Sequence, residues 1–399
     1  MCCGGYSKPY TDKRLLPELH EIKVLIICFF PRYYAAIFAA PGVKMKAVLL
    51  NQIGNVSVQE RSEPLLQEAG DVLVRVTTAG ICGSDLHIVH GRDPGIRMGT
   101  IMGHEFTGFV EDIRGDAGDL NRGDRILSPF SINCGQCFYC ERNLPGRCIR
   151  SHCFGFVNED GSGLEGSQAE FVRVPLAAST LLKIPDAKSD GSPLEDDDVL
   201  FLGDIFSTAY STAEFAKIQK GDTVVVVGCG PVGLLCVLAA RLFEPANIVA
   251  LDSIDYRLEK AREFGAIPLH PESDQAVKLL QDLTEGRGAD AVLEAVGHPS
   301  ALDLAIQLVR PAGFVSIAGY HTQTSYNLPI QKAYAKNLTL RIGRCHARKY
   351  MTKLLPLVLE SKIPLKSIIT HTLPLADAAE GYRMFSEKRD QAIKVLLKP

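Results

Sequence analysis

From Met45 to about Pro175, apolar and polar positions alternate in short runs separated by glycine turns, and few stretches carry a helical period. The runs Met45-Lys46-Ala47-Val48-Leu49-Leu50, Val72-Leu73-Val74-Arg75-Val76 and Thr107-Gly108-Phe109-Val110-Glu111 read as strands, and Arg122-Gly123-Asp124-Arg125 as a turn between strands. The polar stretch 186–198 reads as a surface connection, and its acid run Glu195-Asp196-Asp197-Asp198 as a solvated helix start. From Gly221 the period changes. Thr223-Val224-Val225-Val226-Val227 is a continuous β-branched run, as in a strand covered on both faces. A helical period follows at 234–243. Strands at 247–251, 290–294 and 313–319, with helical stretches at 255–264, 272–284 and 299–309, complete an alternating pattern that predicts a doubly wound parallel sheet. Beyond 341 come helices at 348–360 and 375–386 and a strand at 392–397, which return the chain to the first domain. The pattern therefore predicts an α/β protein: a β-rich domain at 45–205 and 341–399, split by a parallel-sheet domain at 206–340.

Residues 1–44 differ from the rest. Lys8, Lys13, Arg14, Lys23, Arg32 and Lys44 alternate with three acids and two short apolar runs, and Pro31-Arg32 interrupts those runs below the roughly 20 apolar residues of a membrane helix. A signal or transit peptide fits poorly, because acids precede the apolar run and arginine is scarce. The expectation is a disordered or poorly packed extension. A chain of 399 residues is too long for one ordinary core, in keeping with two domains. With 46% hydrophobic residues and a net charge of −3, it reads as soluble and cytoplasmic, without the basic surface of a nucleic-acid binder and without membrane spans.

Twelve cysteines would suggest disulfides, but four of them form Cys134-x2-Cys137-x2-Cys140-x7-Cys148. Four thiols this close can wrap one tetrahedral zinc, and with every position filled that zinc is structural. Two disulfides or an iron–sulfur cluster are the competing readings; the first needs an oxidising compartment, the second usually a different spacing. A second constellation begins at Ile81-Cys82-Gly83-Ser84-Asp85-Leu86-His87 and continues at Gly103-His104-Glu105. Cys82 and His104 are donors that zinc prefers, and Asp204, in Phe201-Leu202-Gly203-Asp204-Ile205-Phe206, is the candidate third ligand. Three protein ligands leave one position open, as in a catalytic zinc site. Ser84 and His87 are placed to carry a proton away from that position. A buried cysteine and a core histidine without metal is the plainer alternative for Cys82 and His104 alone.

After the 223–227 strand comes Gly228-Cys229-Gly230-Pro231-Val232-Gly233, and a helix opens within it. In this strand–turn–helix context Gly228, Gly230, Val232 and Gly233 are the candidate positions for a dinucleotide pyrophosphate. Asp252 ends the next strand, where a carboxylate accepts hydrogen bonds from the adenosine ribose and repels a 2′-phosphate. No arginine follows directly, since Arg257 is five residues on, so NAD is expected over NADP.

Taken in order, these motifs resemble the zinc-containing medium-chain alcohol dehydrogenase family over Met45 to Pro399. The run Phe201-Leu202-Gly203-Asp204-Ile205-Phe206-Ser207-Thr208 looks most like the branch of glutathione-independent formaldehyde dehydrogenases, where aspartate replaces a cysteine ligand. The resemblance implies a GroES-like catalytic domain split around an inserted Rossmann domain, one catalytic and one structural zinc, NAD, and a homodimer or homotetramer. It implies that Glu105 is an acid near the metal, that Ser84 and His87 relay the alcohol proton through the nicotinamide ribose, that Thr208 lies beside the nicotinamide, and that Lys394 lies near the pyrophosphate. Gly83 departs from members that carry an arginine there. The implied activity is reversible hydride transfer between a small alcohol and NAD, giving an aldehyde or ketone. A polyol or amino-alcohol substrate is the runner-up, and a non-catalytic NAD-binding sensor or scaffold is the reading from another class.

Overall fold

The computed structural model describes residues 43–271 and 274–399; the N-terminal extension expected at 1–44 lies outside them but for its last two residues. Lys44–Gln52 (β1) and Asn55–Ser62 (β2) form an antiparallel hairpin. Asp71–Ile81 (β3) runs directly into the short helix Gly83–Val89 (α1), and Glu105–Arg114 (β4) pairs antiparallel with β3. Arg125–Leu127 (β5), Phe171–Val174 (β6) and Leu182–Lys183 (β7) extend this sheet. The helix Ile205–Phe215 (α2) then leads into the parallel half. There the strands are Thr223–Val227 (β8), Asn247–Leu251 (β9), Ile267–Leu269 (β10), Ala289–Glu294 (β11), Val309–Ile317 (β12) and Thr339–Ile342 (β13), with the helix Pro231–Arg241 (α3) after β8. The chain closes with helix Ala347–Leu359 (α4) and strands His371–Pro374 (β14) and Val395–Lys398 (β15).

The parallel sheet has the order β10-β9-β8-β11-β12-β13. Strand order reverses between β8 and β11, so the switch point where α/β sheets bind ligands lies at the end of β8. All five residues of β8 are buried, as a strand covered on both faces must be. The second sheet has the order β14-β15-β3-β4-β5-β7, with β6 also on β3. Its central register sets the site: Gly80 faces Glu105, and Ile81 faces Val395. Cys82, His104 and Lys394 each adjoin a residue of that register, just beyond the ends of three neighbouring strands. The C-terminal strand thus returns to the first domain by pairing with β3.

The acid run at 195–198 departs from expectation. Asp196–Val199 does form one helical turn, but its acids are paired rather than solvated. Arg125 Nε donates to Asp196 at 3.1 Å, Lys398 pairs with Asp197 at 2.8 Å, and Lys188 with Asp198 at 3.0 Å. Arg125 and Lys398 lie on distant segments and Lys188 at no spacing that marks a pair, so the run looked free in the sequence. Among the described residues no helix is long and apolar enough to cross a membrane.

Candidate active site

Cys82 sits at the N-cap of α1, and its backbone N–H donates to Asp85 Oδ2 at 2.9 Å. That bond fixes the turn that carries the thiol, which lies 3.6 Å from Asp204 Oδ2. His104 immediately precedes β4. Gly103 allows the close approach, because it holds φ +92° and a Cβ there would stand 2.4 Å from Gln168 Cγ. Asp204 arrives from the other side, on the turn before α2. Gly203 lets that turn press on Ser128, where a Cβ would lie 2.2 Å from the Ser128 carbonyl oxygen, and Phe130 N–H anchors it by donating to Gly203 O at 3.0 Å.

The ligand atoms of Cys82, His104 and Asp204 all lie within 4.8 Å of one another. Asp204 Oδ2 is 3.6 Å from Cys82 Sγ and 3.3 Å from His104 Nε2. Zinc bonds of roughly 2.0–2.3 Å at tetrahedral angles separate donors by about 3.3–3.8 Å, so the three residues fit this metal. The charges fit as well, since a thiolate, a carboxylate and a neutral imidazole sum to zero with a dication. Asp204 occupies the N-cap position of α2, yet its side chain makes no capping hydrogen bond. Its carboxylate is turned towards the other two donors instead. Burial, then Glu105 and Asp204, push the Cys82 thiol upward. Burial alone would lower His104, but Asp85 together with hydrogen bonds to Asp204, Asp85 and Cys82 holds it well above the ordinary range.

Behind these donors lies a buried network whose role the sequence did not disclose. His104 Nδ1 is 3.2 Å from Asp85 Oδ1, the carboxylate support that a metal-binding imidazole uses to fix its tautomer. Gln168 Nε2 donates to Asp85 Oδ2 at 3.3 Å and to the Gly80 carbonyl at 3.0 Å, while Tyr382 OH donates to Gln168 Oε1 at 2.8 Å. Only Asp85 left a sequence signal, an acid three residues after the N-cap.

Glu105 and Lys394 form a second buried pair, both at 0% exposure. Lys394 Nζ donates to Glu105 Oε2 at 2.5 Å and to the Ile81 carbonyl at 2.9 Å. The expectation for Lys394 was a place beside the pyrophosphate. In this structure its ammonium is instead sealed against Glu105, one strand from the metal donors. Gly80 makes room for the pair: a Cβ there would lie 2.0 Å from Glu105 Oε2.

On α1, Ser84 Oγ lies 3.2 Å from His104 Nε2, the ring nitrogen that faces the donor cluster. His87 lies one turn further along, and no hydrogen bond joins the two side chains among the described residues. Burial, then Arg92, lowers the His87 pKa. Thr208 is on the first turn of α2, with Oγ1 3.5 Å from Asp204 Oδ1. Phe130 adjoins the Asp204 turn through its N–H on the Gly203 carbonyl. Arg344 holds the Gly146 carbonyl of the cysteine lobe at 2.8 Å, and His90 pairs with Ser386 at 2.9 Å in a surface groove.

The four cysteines also converge, with ligand atoms within 4.8 Å. Cys137 and Cys140 Sγ are 3.6 Å apart, and Cys148 Sγ accepts from the N–H of Cys134 at 3.2 Å and of Arg150 at 3.3 Å. Backbone N–H groups of Cys140 and Ile149 pull the Cys137 thiol down to about 6, whereas burial and Cys137 push Cys140 up to about 12. Four sulfurs gathered round one point would fill a zinc tetrahedron and leave no position for substrate.

At the switch point, Gly228 turns the chain with φ +90°, and at Gly233 a Cβ would lie 1.7 Å from Gly228 O, so only glycine lets α3 pack on this turn. Gly230 caps α3, Pro231 opens it, and Val232 packs on the adjacent core. Asp252 Oδ2 accepts from Cys229 N–H at 2.7 Å and Oδ1 from Ile254 N–H at 3.0 Å. Arg257, five residues away in sequence, brings NH1 to 3.9 Å from Asp252.

The chain matches the family models of the alcohol dehydrogenase GroES-like domain over residues 68–186 and of the zinc-binding dehydrogenase over 231–360. It is 36% identical to zinc-type alcohol dehydrogenase B of Aspergillus flavus, over 98% of this chain and 91% of that one, a match that reaches into residues 1–44. Alcohol dehydrogenase TADH from Thermus sp. ATN1 superposes with a TM-score of 0.82 at 39% identity, covering 89% of this chain and 99% of that one. Two other similar structures carry different cofactors. An E. coli CFT073 alcohol dehydrogenase is complexed with NADH (28% identity, TM-score 0.77, 90% and 100% covered), and a zinc-binding dehydrogenase from Sinorhizobium meliloti 1021 is bound to NADP (26%, 0.74, 90% and 100%). With a GroES-like part, a parallel nucleotide-binding sheet and these relatives, the chain belongs to the zinc-type medium-chain alcohol dehydrogenase family.

Proposed function

We propose that the protein interconverts a small alcohol and its aldehyde or ketone with NAD, using one catalytic zinc held by Cys82, His104 and Asp204 and one structural zinc held by Cys134, Cys137, Cys140 and Cys148. The observation that carries this reading is the convergence of Cys82, His104 and Asp204 with the Ser84 hydroxyl against His104. Asp204 in its run Phe201 to Thr208 is the reason for setting the chain near the glutathione-independent formaldehyde dehydrogenase branch. A cytoplasmic homodimer or homotetramer belongs to the same reading.

When bound, zinc supplies Lewis acidity towards a substrate oxygen and the nicotinamide exchanges a hydride. The chain's own residues supply position and proton transfer. Asp85, beside Nδ1, holds the His104 imidazole in one orientation with Nε2 towards the donor cluster. Ser84 Oγ would take the hydroxyl proton and His87, one turn along the same helix, would pass it towards solvent. Glu105 and Lys394 stabilise the floor of the site as a neutral pair. Purified full-length protein, assayed by NADH absorbance against primary and secondary alcohols and polyols, should turn over at least one class. A protein that binds NADH yet turns over none would favour the sensor or scaffold reading.

Cofactor choice rests on Asp252. Fixed by two backbone N–H groups, its carboxylate disfavours a 2′-phosphate, but Arg257 beside it offsets part of that repulsion. The kcat/KM ratio should therefore favour NAD by roughly tenfold to a hundredfold, about 1.4–2.8 kcal/mol. Arg257→Ala should widen the ratio, and a ratio near one for the wild type would contradict the assignment.

Cys134→Ser should lower bound zinc by one per chain and reduce Tm, since the metal ties the four cysteines of the lobe together, while Cys82, His104 and Asp204 keep theirs. Two zincs and an unchanged Tm in this variant would reject the structural site.

A further inference from the structure

One aromatic side chain from the parallel-sheet half reaches the helix that carries Ser84 and His87. The ring of Tyr320, on the loop after β12, packs against the His87 imidazole with centroids 5.4 Å apart and planes inclined by 57°. Its hydroxyl donates to Asp93 Oδ2 at 2.8 Å. Both anchors are firm. Gly297, at φ +77°, lies so close to Tyr320 that a Cβ there would stand 2.5 Å from the Tyr320 carbonyl oxygen. The N–H groups of Ala318 and Gly319 donate to the Glu294 carbonyl, and the Glu294 carboxylate accepts from Val296 and Gly297 N–H. On the other side, the N–H groups of Arg92 and Asp93 both reach the His87 carbonyl, at 2.8 and 3.3 Å.

His87 itself is held unusually. Its Nδ1 is buried and has no hydrogen-bond partner among the described residues. A working histidine commonly has its ring fixed by a hydrogen bond at the second nitrogen. Here Nδ1 has no such partner among the described residues, and the Tyr320 ring lies against the imidazole.

We propose that Tyr320 is a positioning residue for His87, its ring setting the imidazole and its bond to Asp93 holding the ring in place. The contact joins the loop at the end of the nucleotide-binding sheet to the proton-carrying helix, so the two halves of the cleft meet in one register when the relay is assembled. The functional part of this inference rests on His87 being the relay.

The test uses the full-length protein with Tyr320→Phe, Tyr320→Ala, His87→Gln and the double variant Tyr320→Ala/His87→Gln. The first readout needs no turnover: the rate at which diethyl pyrocarbonate modifies His87, followed by peptide mass spectrometry. Tyr320→Ala should raise that rate several-fold, and Tyr320→Phe, which keeps the ring, should stay nearer the wild type. The second readout is kinetic. Tyr320→Ala should lower kcat several-fold with little change in KM for NAD, Tyr320→Phe should recover most of it, and the loss should vanish in the His87→Gln background because the two residues act as a unit. An unchanged His87 modification rate in Tyr320→Ala, or kinetic effects that add in the double variant, would overturn the proposal. Full turnover by His87→Gln would overturn the relay reading beneath it, and the modification rates would still decide whether Tyr320 holds the imidazole.

Discussion

On the reading proposed above, Asp204→Asn should lose the catalytic zinc and nearly all turnover, while the four-cysteine zinc and NADH binding should remain. The amide has almost the shape of the carboxylate, so the turn pressed on Ser128 and the start of α2 are kept. No cap is lost, because the Asp204 side chain makes none. What disappears is the anionic donor 3.3 Å from His104 Nε2 and 3.6 Å from Cys82 Sγ. Lewis-acid assistance is worth several kcal/mol, so kcat/KM should fall by at least about a thousandfold. Metal analysis, NADH titration and turnover on one preparation check all three parts. A variant with two zincs and near-normal turnover would make Glu105, whose Oε1 is buried without a partner, the next ligand candidate.

Lys394→Ala should be among the most destabilising single changes outside the metal sites. It strips the counter-charge from Glu105 in a place with no exposure, and breaking a buried pair on one side costs about 3–5 kcal/mol. Replacing both partners, Glu105→Gln with Lys394→Met, should recover much of the loss, since the cost lies in the stranded charge rather than in the missing contact. The pH dependence has a definite sign. Burial already raises Glu105 above its ordinary 4.5, with Lys394 opposing that rise. Without Lys394 the folded carboxyl holds its proton to still higher pH than the unfolded one, so the variant's deficit shrinks as pH falls towards 4.5 and grows as pH rises. Thermal melts at about pH 5.5 and about pH 8 should show the gap in Tm widening at the higher value. Equal gaps at both would mean that Glu105 is not the stranded group.

Local patterns were legible in the sequence where they carry their own chemistry. The β-branched run before Gly228 announced a buried strand, and the turn's glycines announced a close backbone approach that the structure explains atom by atom. The spacing of the four cysteines and the pairing of Cys82 with His104 pointed to donor sets that the fold does bring together. What stayed hidden depends on register between distant segments. Gln168 reaches Asp85 across 83 residues, and Tyr382 reaches Gln168 across 214, with no motif to mark either. Lys394 meets Glu105 only because β15 pairs with β3 beside β4. Asp196 and Asp197 looked like solvated acids because Arg125 and Lys398 lie on other segments. The short strands β10 and β13, of three and four residues, carry too little pattern to be read alone.

The central claim is that two zincs are held by two different donor sets in one chain. Crystals of the full-length protein, measured on both sides of the zinc absorption edge, test it most directly. The account predicts two anomalous peaks per chain, one enclosed by the sulfurs of Cys134, Cys137, Cys140 and Cys148, the other bonded by Cys82 Sγ, His104 Nε2 and Asp204 Oδ2. A single peak at the four cysteines in zinc-saturated protein, or a second peak that Asp204 does not touch, would contradict it.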